Sequence, residues 1–267
     1  MLFRSGIITG ALDSNSIAWK VAEKAYEEGA SFVLTNAPIA MRMGEINALA
    51  EKTKSKIIPA DATSVEELTQ LFTQSQEILG GKIDFVLHSI GMSVNIRKKI
   101  PYPALNYDYY AKGVDVSAMS LHKMLSVAYN MDALNEYASV VALTYAAAQR
   151  TFPFYTDMAD IKALLESIAR SFGYHYGVKK KVRVNTVSQS PTNTTAGTGI
   201  KGFGDFFDYA NAIAPLGNAT AEDCANYCVT LFSDLTRMVT MQNLFHDGGY
   251  STTGVSDLIM QKAGITE

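Results

Sequence analysis

The chain has 267 residues, of which 48% are hydrophobic and 18% charged, with a net charge of −3. That composition suits one large α/β unit with a substantial core and excludes a disordered chain. The pI near 5.8 gives no electrostatic footprint for nucleic acid or a membrane surface, and no apolar run approaches the 18 residues of a membrane span.

In chain order, strands are predicted at 6–9, 31–35, 56–60, 83–88, 139–144, 182–187 and 243–246. Between them the 3.6-residue period runs over 16–28, 44–52, 65–79, 119–134, 155–174 and 221–235. Runs such as Phe85-Val-Leu and Val140-Val-Ala-Leu lack polar alternation, as expected of strands covered on both faces. The alternation predicts a single-domain Rossmann-type doubly wound α/β fold over 1–267, a seven-stranded parallel sheet flanked by helices. Two segments break the rhythm. Residues 93–116 carry four tyrosines and two prolines, and residues 188–214 are rich in Thr and Gly. Both start where strands end on the ligand side of such a sheet, and 192–214 is expected to be a substrate lid.

The first strand runs into Gly10-Ala-Leu-Asp-Ser-Asn-Ser16-Ile-Ala18 and then a helix. Glycine permits a tight turn close to a pyrophosphate, and a helix N-terminus offers free amides. The spacing is G-x5-S-x-A rather than G-x-G-x-x-G, so Ser16 reads equally as N-cap and as phosphate donor. No carboxylate closes the second strand, which leaves NADP open; Arg42 reads as a solvated side chain. Asp61 is placed to meet an adenine amino group or to cap a helix, with Ser64 competing for the cap. The fourth strand ends His88-Ser89-Ile90-Gly91, where Gly91 lets backbone pass a ribose, Ile90 packs beside nicotinamide and His88 is a core histidine.

His122, His175 and His246 share no metal or triad spacing, and the G-x-S-x-G hydrolase elbow is missing, so no metal site is predicted. Cys224 and Cys228, four apart on a helix, read as core thiols in a reducing compartment. Met1-Leu-Phe-Arg-Ser leads straight into a strand without a signal-peptide pattern, and a cytoplasmic enzyme is expected. Lys179, Lys180 and Lys181 form the one basic run, expected in a solvated turn, although an acidic carrier partner could use such charges.

Tyr155 and Lys162 are seven residues apart with no Pro or Gly between them. On a helix that spacing brings both side chains to one face, within about 20° and about 10 Å of rise, and Lys162 leans back toward Tyr155. A phenol and an ammonium so aligned can polarise a carbonyl and hold a cofactor. Alone, such a pair usually means a solvated lysine beside a half-buried tyrosine. Tyr145, at the end of the fifth strand and ten residues earlier, opens onto the same cleft mouth.

With these motifs the chain resembles the short-chain dehydrogenase/reductase superfamily and, within it, the bacterial enoyl-acyl-carrier-protein reductases. The superfamily's Tyr-x3-Lys is replaced by Tyr155-x6-Lys162, and Tyr145 stands where serine is usual. The likeness continues through Gly10–Ala18, Asp61, His88–Gly91, Gln149-Arg150, Pro153, Arg183-Val-Asn185, Gly199–Phe203 and Asp247-Gly-Gly249. It implies an oxidoreductase of fatty-acid biosynthesis that reduces the trans-2 double bond of enoyl thioesters on acyl carrier protein, acting as a homotetramer.

The resemblance further implies that Tyr155 binds the thioester carbonyl, Lys162 the nicotinamide ribose, and that Tyr145 helps place the acyl group. Gly10, Ser16, Ile17, Asp61, Ala62, Ser89, Ile90, Gly91, Thr192 and Thr194 would bind cofactor. Met92, Met158 and Phe203 would line the substrate channel with Tyr145 and Tyr155. Ser190 and Thr192 depart from the family's Gly and Ile, and Asn36-Ala-Pro38 lacks a basic pair for NADPH, which favours NADH. Two other readings compete: a ketoreductase acting on a 3-oxoacyl thioester, and a non-catalytic dinucleotide sensor.

Overall fold

A computed structural model describes residues 4–43, 45–198 and 203–265. Its seven strands are β1 (Ser5–Thr9), β2 (Ser31–Thr35), β3 (Lys56–Ile57), β4 (Ile83–His88), β5 (Leu134–Thr144), β6 (Arg183–Gln189) and β7 (Asn243–His246). They form one sheet in the order β3-β2-β1-β4-β5-β6-β7, with every pair parallel. The chain reverses direction across the sheet between β1 and β4, the position where doubly wound folds open a ligand crevice.

The helices are α1 (Ile17–Glu27), α2 (Ile46–Thr53), α3 (Val65–Leu79), α4 (Val94–Arg97), α5 (Tyr107–Val114), α6 (Ser120–Asn130), α7 (Thr156–Lys180), α8 (Thr195–Thr198), α9 (Phe203–Ile213), α10 (Ala221–Phe232) and α11 (Asp257–Lys262). Two apolar clusters cover the two sheet faces. Ile7 and Val33 join Leu68, Phe72, Met124 and Ile161 on one side; their neighbours Ile8 and Leu34 join Val21, Leu49, Cys224 and Cys228 on the other. Successive strand residues point to opposite faces, so a strand clothed on both must be apolar throughout. Among the described residues no helix is long and apolar enough to cross a membrane.

Several boundaries differ from the periodicity. β3 stops at Ile57 because Pro59 has no N–H, yet Ile58 and Ala60 still donate to Leu34 on β2 and to Asn36 just beyond it. The pattern that carried a helix to Leu134 instead ends at Asn130; Asp132 turns the chain at φ 51°, and Leu134 already belongs to β5. Tyr137 at φ 59° accompanies a register shift between Ile83 and Phe85 on β4, which hid the first half of β5. α7 runs through Gly173 and Gly177 to Lys180, ending where Lys181 adopts φ 59°. Gly44, predicted to open α2, lies outside the described residues.

Candidate active site

The β1 turn meets β4 backbone to backbone. Gly10 sits at φ 83°, and a Cβ there would stand 2.0 Å from the Ser89 carbonyl oxygen; only glycine fits. Ser16 caps α1, accepting from Trp19 N at 3.4 Å and donating its proton to the Asp13 carbonyl at 2.8 Å. Its hydroxyl is thus engaged, and the first-turn amides of α1 remain to face an anion. Ser64, not Asp61, caps α3. Asp61 Oδ1 accepts from Thr63 N and Oγ1, both at 2.8 Å, while Ala62 beside it is half-buried against the core. Arg42 is exposed on a single 3-10 turn.

His88 is fully buried, with Nε2 2.8 Å from Ser120 Oγ. The core-histidine expectation is half met, because Nδ1 has no partner among the described residues. Burial and the nearby Lys162 charge push its ring down to about 3, which keeps it neutral. A Cβ on Gly91 would lie 3.7 Å from both Lys162 Nζ and Met158 Cε, so the bare backbone after Ile90 faces the lysine. The next residue, Met92, is fixed by Ser117, whose Oγ accepts from its N at 2.8 Å and donates to its O at 3.0 Å. Ser117 lies in a π-helical turn, Asp115–Met119, that joins α5 to α6.

Tyr155 is not inside the helix but at its N-cap, with φ −88° and ψ −1°. Thr156 follows at φ 37°, a left-handed conformation costly for a β-branched residue. Tyr155 packs 5.1 Å from Tyr145, ring to ring, and desolvation raises its phenol above the ordinary range. Lys162 is buried and donates to the Leu143 carbonyl at 2.8 Å; burial pulls it down to about 8, with Glu166 pulling the other way. Tyr145 is boxed by Phe152, Tyr155 and Phe206. Its hydroxyl is buried with no partner among the described residues, and burial raises its pKa strongly.

Two buried carboxylates on α7 were not singled out from the sequence. Asp157 accepts from Ser93 Oγ at 2.7 Å, Asn95 Nδ2 at 2.8 Å and Thr156 Oγ1 at 3.0 Å. Glu166 accepts from Thr144 and Gln149. Their spacing gave a signal: Asp157, Ile161 and Leu165 fall four apart, as do Lys162 and Glu166, so both acids lie on apolar helix stripes.

Beyond β6, Thr192 Oγ1 donates to the Ser190 carbonyl at 3.0 Å and Thr194 Oγ1 accepts from Gly197 N at 3.0 Å. Ser190 itself explains its departure from glycine: its Oγ accepts from Ala219 N at 2.9 Å. Thr195 Oγ1 reaches back to Asp13 Oδ2 at 2.5 Å, joining α8 to the Gly10 turn. Phe203 packs on Gly197 and Phe207; Phe206, which the sequence did not flag, is the α9 ring on Tyr145. Outside it a cleft of about 1050 Å³ is lined by Phe152, Phe206, Tyr209, Ile213 and Tyr250. Positions 199–202 of the motif lie outside the described residues. The described residues hold no cluster of His, Cys, Asp or Glu able to take a metal. Cys224 and Cys228 are free and buried.

A family model described as enoyl-(acyl carrier protein) reductase matches residues 10–251. The fold superposes on the crystal structure of a FabI–NADH complex from Alistipes finegoldii with a TM-score of 0.93 and 60% identity, covering 95% of this chain and 89% of that one. Enoyl-acyl-carrier-protein reductase (NADH) 1 of Rhizobium meliloti (strain 1021) is 31% identical over 94% of this chain and 92% of its own length. Its paralogue, reductase (NADH) 2, is 29% identical over 96% and 94%.

Proposed function

Because this chain belongs to the enoyl-(acyl carrier protein) reductase family, we propose that it reduces the trans-2 double bond of enoyl thioesters carried on acyl carrier protein, with NADH as cofactor. The observation that carries the proposal is the orphaned, buried Tyr145 hydroxyl beside Tyr155 and one strand-end away from Lys162. A buried polar group without a partner marks a place where a ligand supplies one.

The crevice fits a dinucleotide. The bare backbones of Gly10 and Gly91 leave room for pyrophosphate and ribose, and α1 points its N-terminus at the first of them. Ser16, Ile17, Ser89, Ile90, Thr192 and Thr194 line that path, with Asp61 and Ala62 at the adenine end. When bound, the nicotinamide supplies hydride to the substrate's β-carbon. Tyr155, kept protonated by desolvation, donates to the thioester carbonyl oxygen, where negative charge gathers as the β-carbon is reduced. Lys162 holds the ribose hydroxyls and adds positive potential beside that oxygen. Tyr145 orients the acyl group from the opposite side, and Met92, Met158 and Phe203 border the chain's path. The absence of a basic pair in Asn36-Ala-Pro38 after β2 favours NADH over NADPH, as does the NADH dependence named for the relatives.

Residues 192–214 act as the substrate lid, a role supported by the contact of α8 with the Gly10 turn. A homotetramer accords with the bare Leu235 and Met238, 87% and 90% exposed, and a cytoplasmic site with the reduced cysteines. The test is loss of 340 nm absorbance with NADH or NADPH and a crotonyl or longer enoyl thioester on acyl carrier protein or coenzyme A. Turnover of enoyl but not acetoacetyl thioesters is expected; turnover of the 3-oxo substrate alone, or NADH binding with no turnover of any thioester, would overturn it.

A further inference from the structure

Leu143, Thr144 and Tyr145, consecutive at the end of β5, each engage α7 differently. The Leu143 carbonyl accepts from Lys162 Nζ at 2.8 Å, Thr144 Oγ1 donates to Glu166 Oε1 at 2.9 Å, and the Tyr145 ring meets Tyr155 at 5.1 Å. The second oxygen of Glu166 accepts from Gln149 Nε2 at 2.8 Å, in the turn that leads on to Tyr155. Glu166 is only 3% exposed, and among the described residues it forms no ion pair within 4.0 Å. A carboxylate buried on neutral donors is expensive, and it stands one helical turn beyond the lysine that the cofactor needs.

We propose that Glu166 is a positioning residue for the reduction: its carboxylate pins the end of β5 to α7 and supplies the negative charge that offsets burial of the Lys162 ammonium. The groups facing Lys162 are few. From β4 comes His88, neutral and unable to help; Tyr155, at the N-cap of α7, is kept as the neutral phenol by desolvation. Asp157, five residues before the lysine, is taken up by Ser93, Asn95 and Thr156. Glu166 alone favours the charged lysine, against the burial that draws it down to about 8. Removing the carboxylate's charge lets Lys162 lose its proton at a lower pH. The inference rests on the reductase reading only in assigning the cofactor to Lys162.

The experiment is NADH titration of the full-length protein by fluorescence from pH 6 to pH 9.5, on the parent, Glu166→Gln and the exchange variant Glu166→Gln/Gln149→Glu. Expected is unchanged affinity at pH 6 for Glu166→Gln, with binding weaker than the parent by about three- to tenfold at pH 8.5, one pKa unit being tenfold. The exchange variant, which keeps the hydrogen bond and moves the charge one residue across it, recovers part of that loss. Thr144→Val keeps the charge and loosens the strand; it lowers kcat about three- to tenfold with the pH profile of NADH binding unmoved. A Glu166→Gln profile that overlays the parent's overturns the electrostatic role. A Thr144→Val enzyme with full kcat overturns the positional one. Should Glu166→Gln not fold, the exchange variant decides: a profile matching the parent's supports the proposal, and loss of binding at pH 6 overturns it. Absence of thioester turnover in the parent, with the binding shifts intact, counts against the reductase reading alone.

Discussion

The two segments that interrupt the β–α rhythm are held in opposite ways. Residues 93–116 and the turn that follows are knit into the protein by buried and half-buried polar contacts: Ser93 and Asn95 bond to Asp157, Asn95 and Asn106 bond to each other, and Ser117 grips Met92. Tyr102 and Tyr110 both donate to the same oxygen of Asp160. Among the described residues, 190–198 and 203–213 are held instead by the bond from Thr195 to Asp13, by contacts around Ala219 and Asn218, by the Phe206 ring on Tyr145, Phe152 and Tyr250, and by the buried Ala210 and Ile213 of α9. The first segment is thus held chiefly by hydrogen bonds with fixed partners, and the second chiefly by the packing of aromatic rings.

The sharpest attack on that contrast is Asp157→Ala. It strands the Ser93 and Asn95 donors in the interior and is expected to lower stability by about 2–5 kcal/mol, read from urea midpoints; a loss below about 1 kcal/mol would mean the first segment is held elsewhere. Next, Tyr155→Phe, at the cap of the helix that Asp157 ties to the first segment, lowers kcat by at least about tenfold while the NADH dissociation constant stays within about twofold, a split visible in parallel steady-state and binding assays.

Lys162→Met sharpens the comparison differently. The folded lysine sits at about 8 against 10.5 ordinarily, so its burial penalty is full below pH 8 and fades as pH rises toward 10.5. The unliganded variant gains about 1–3 kcal/mol near pH 7 after losing its hydrogen bond, and this gain shrinks by pH 10, while NADH binding collapses. Melting curves without NADH at the two pH values check the sign. The smallest effect belongs to the second segment: Thr195→Val removes the bond to Asp13, lowers stability by about 1 kcal/mol and raises KM with little change in kcat, as steady-state assays would show.

Much of this was legible in the sequence. Phe85-Val-Leu in β4 and Val140-Val-Ala-Leu in β5 are unbroken apolar runs that a doubly covered sheet explains, and Tyr145 and Tyr155 pack ring to ring beyond β5 while Lys162 bonds to the Leu143 carbonyl at its end. What escaped depended on tertiary partners. Helix spacing turns Asp157 and Glu166 toward the interior, but what they hold there is readable only once the donors from 93–95 and 144–149 are in place. Thr156 at φ 37° could not be foreseen from a helical pattern, and neither could the displacement of Tyr155 to the cap. The lysine run at 179–181 lies at the C-terminal end of α7, away from the residues that precede it in the cleft. There Lys179 covers the Tyr129 ring at 3.7 Å and Lys180 pairs with Asp132 at 2.7 Å, so two of its three charges are already spent on the fold.

The seam between Gly10 and the Ser89 carbonyl has a further meaning. It lies where the two halves of the sheet diverge, and beside it the Thr9 hydroxyl accepts from Ser89 N at 3.1 Å. The gauge of the crevice is thus set by main chain in contact and one short side chain, as a hinge pin fixes a door. Exchanges among the core leucines, isoleucines and valines can drift without widening it. A single methyl group at position 10 would wedge the halves apart and be felt simultaneously at the α1 amides, at Gly91 and at Lys162. The narrowest part of the crevice thus depends on the smallest side chain in it.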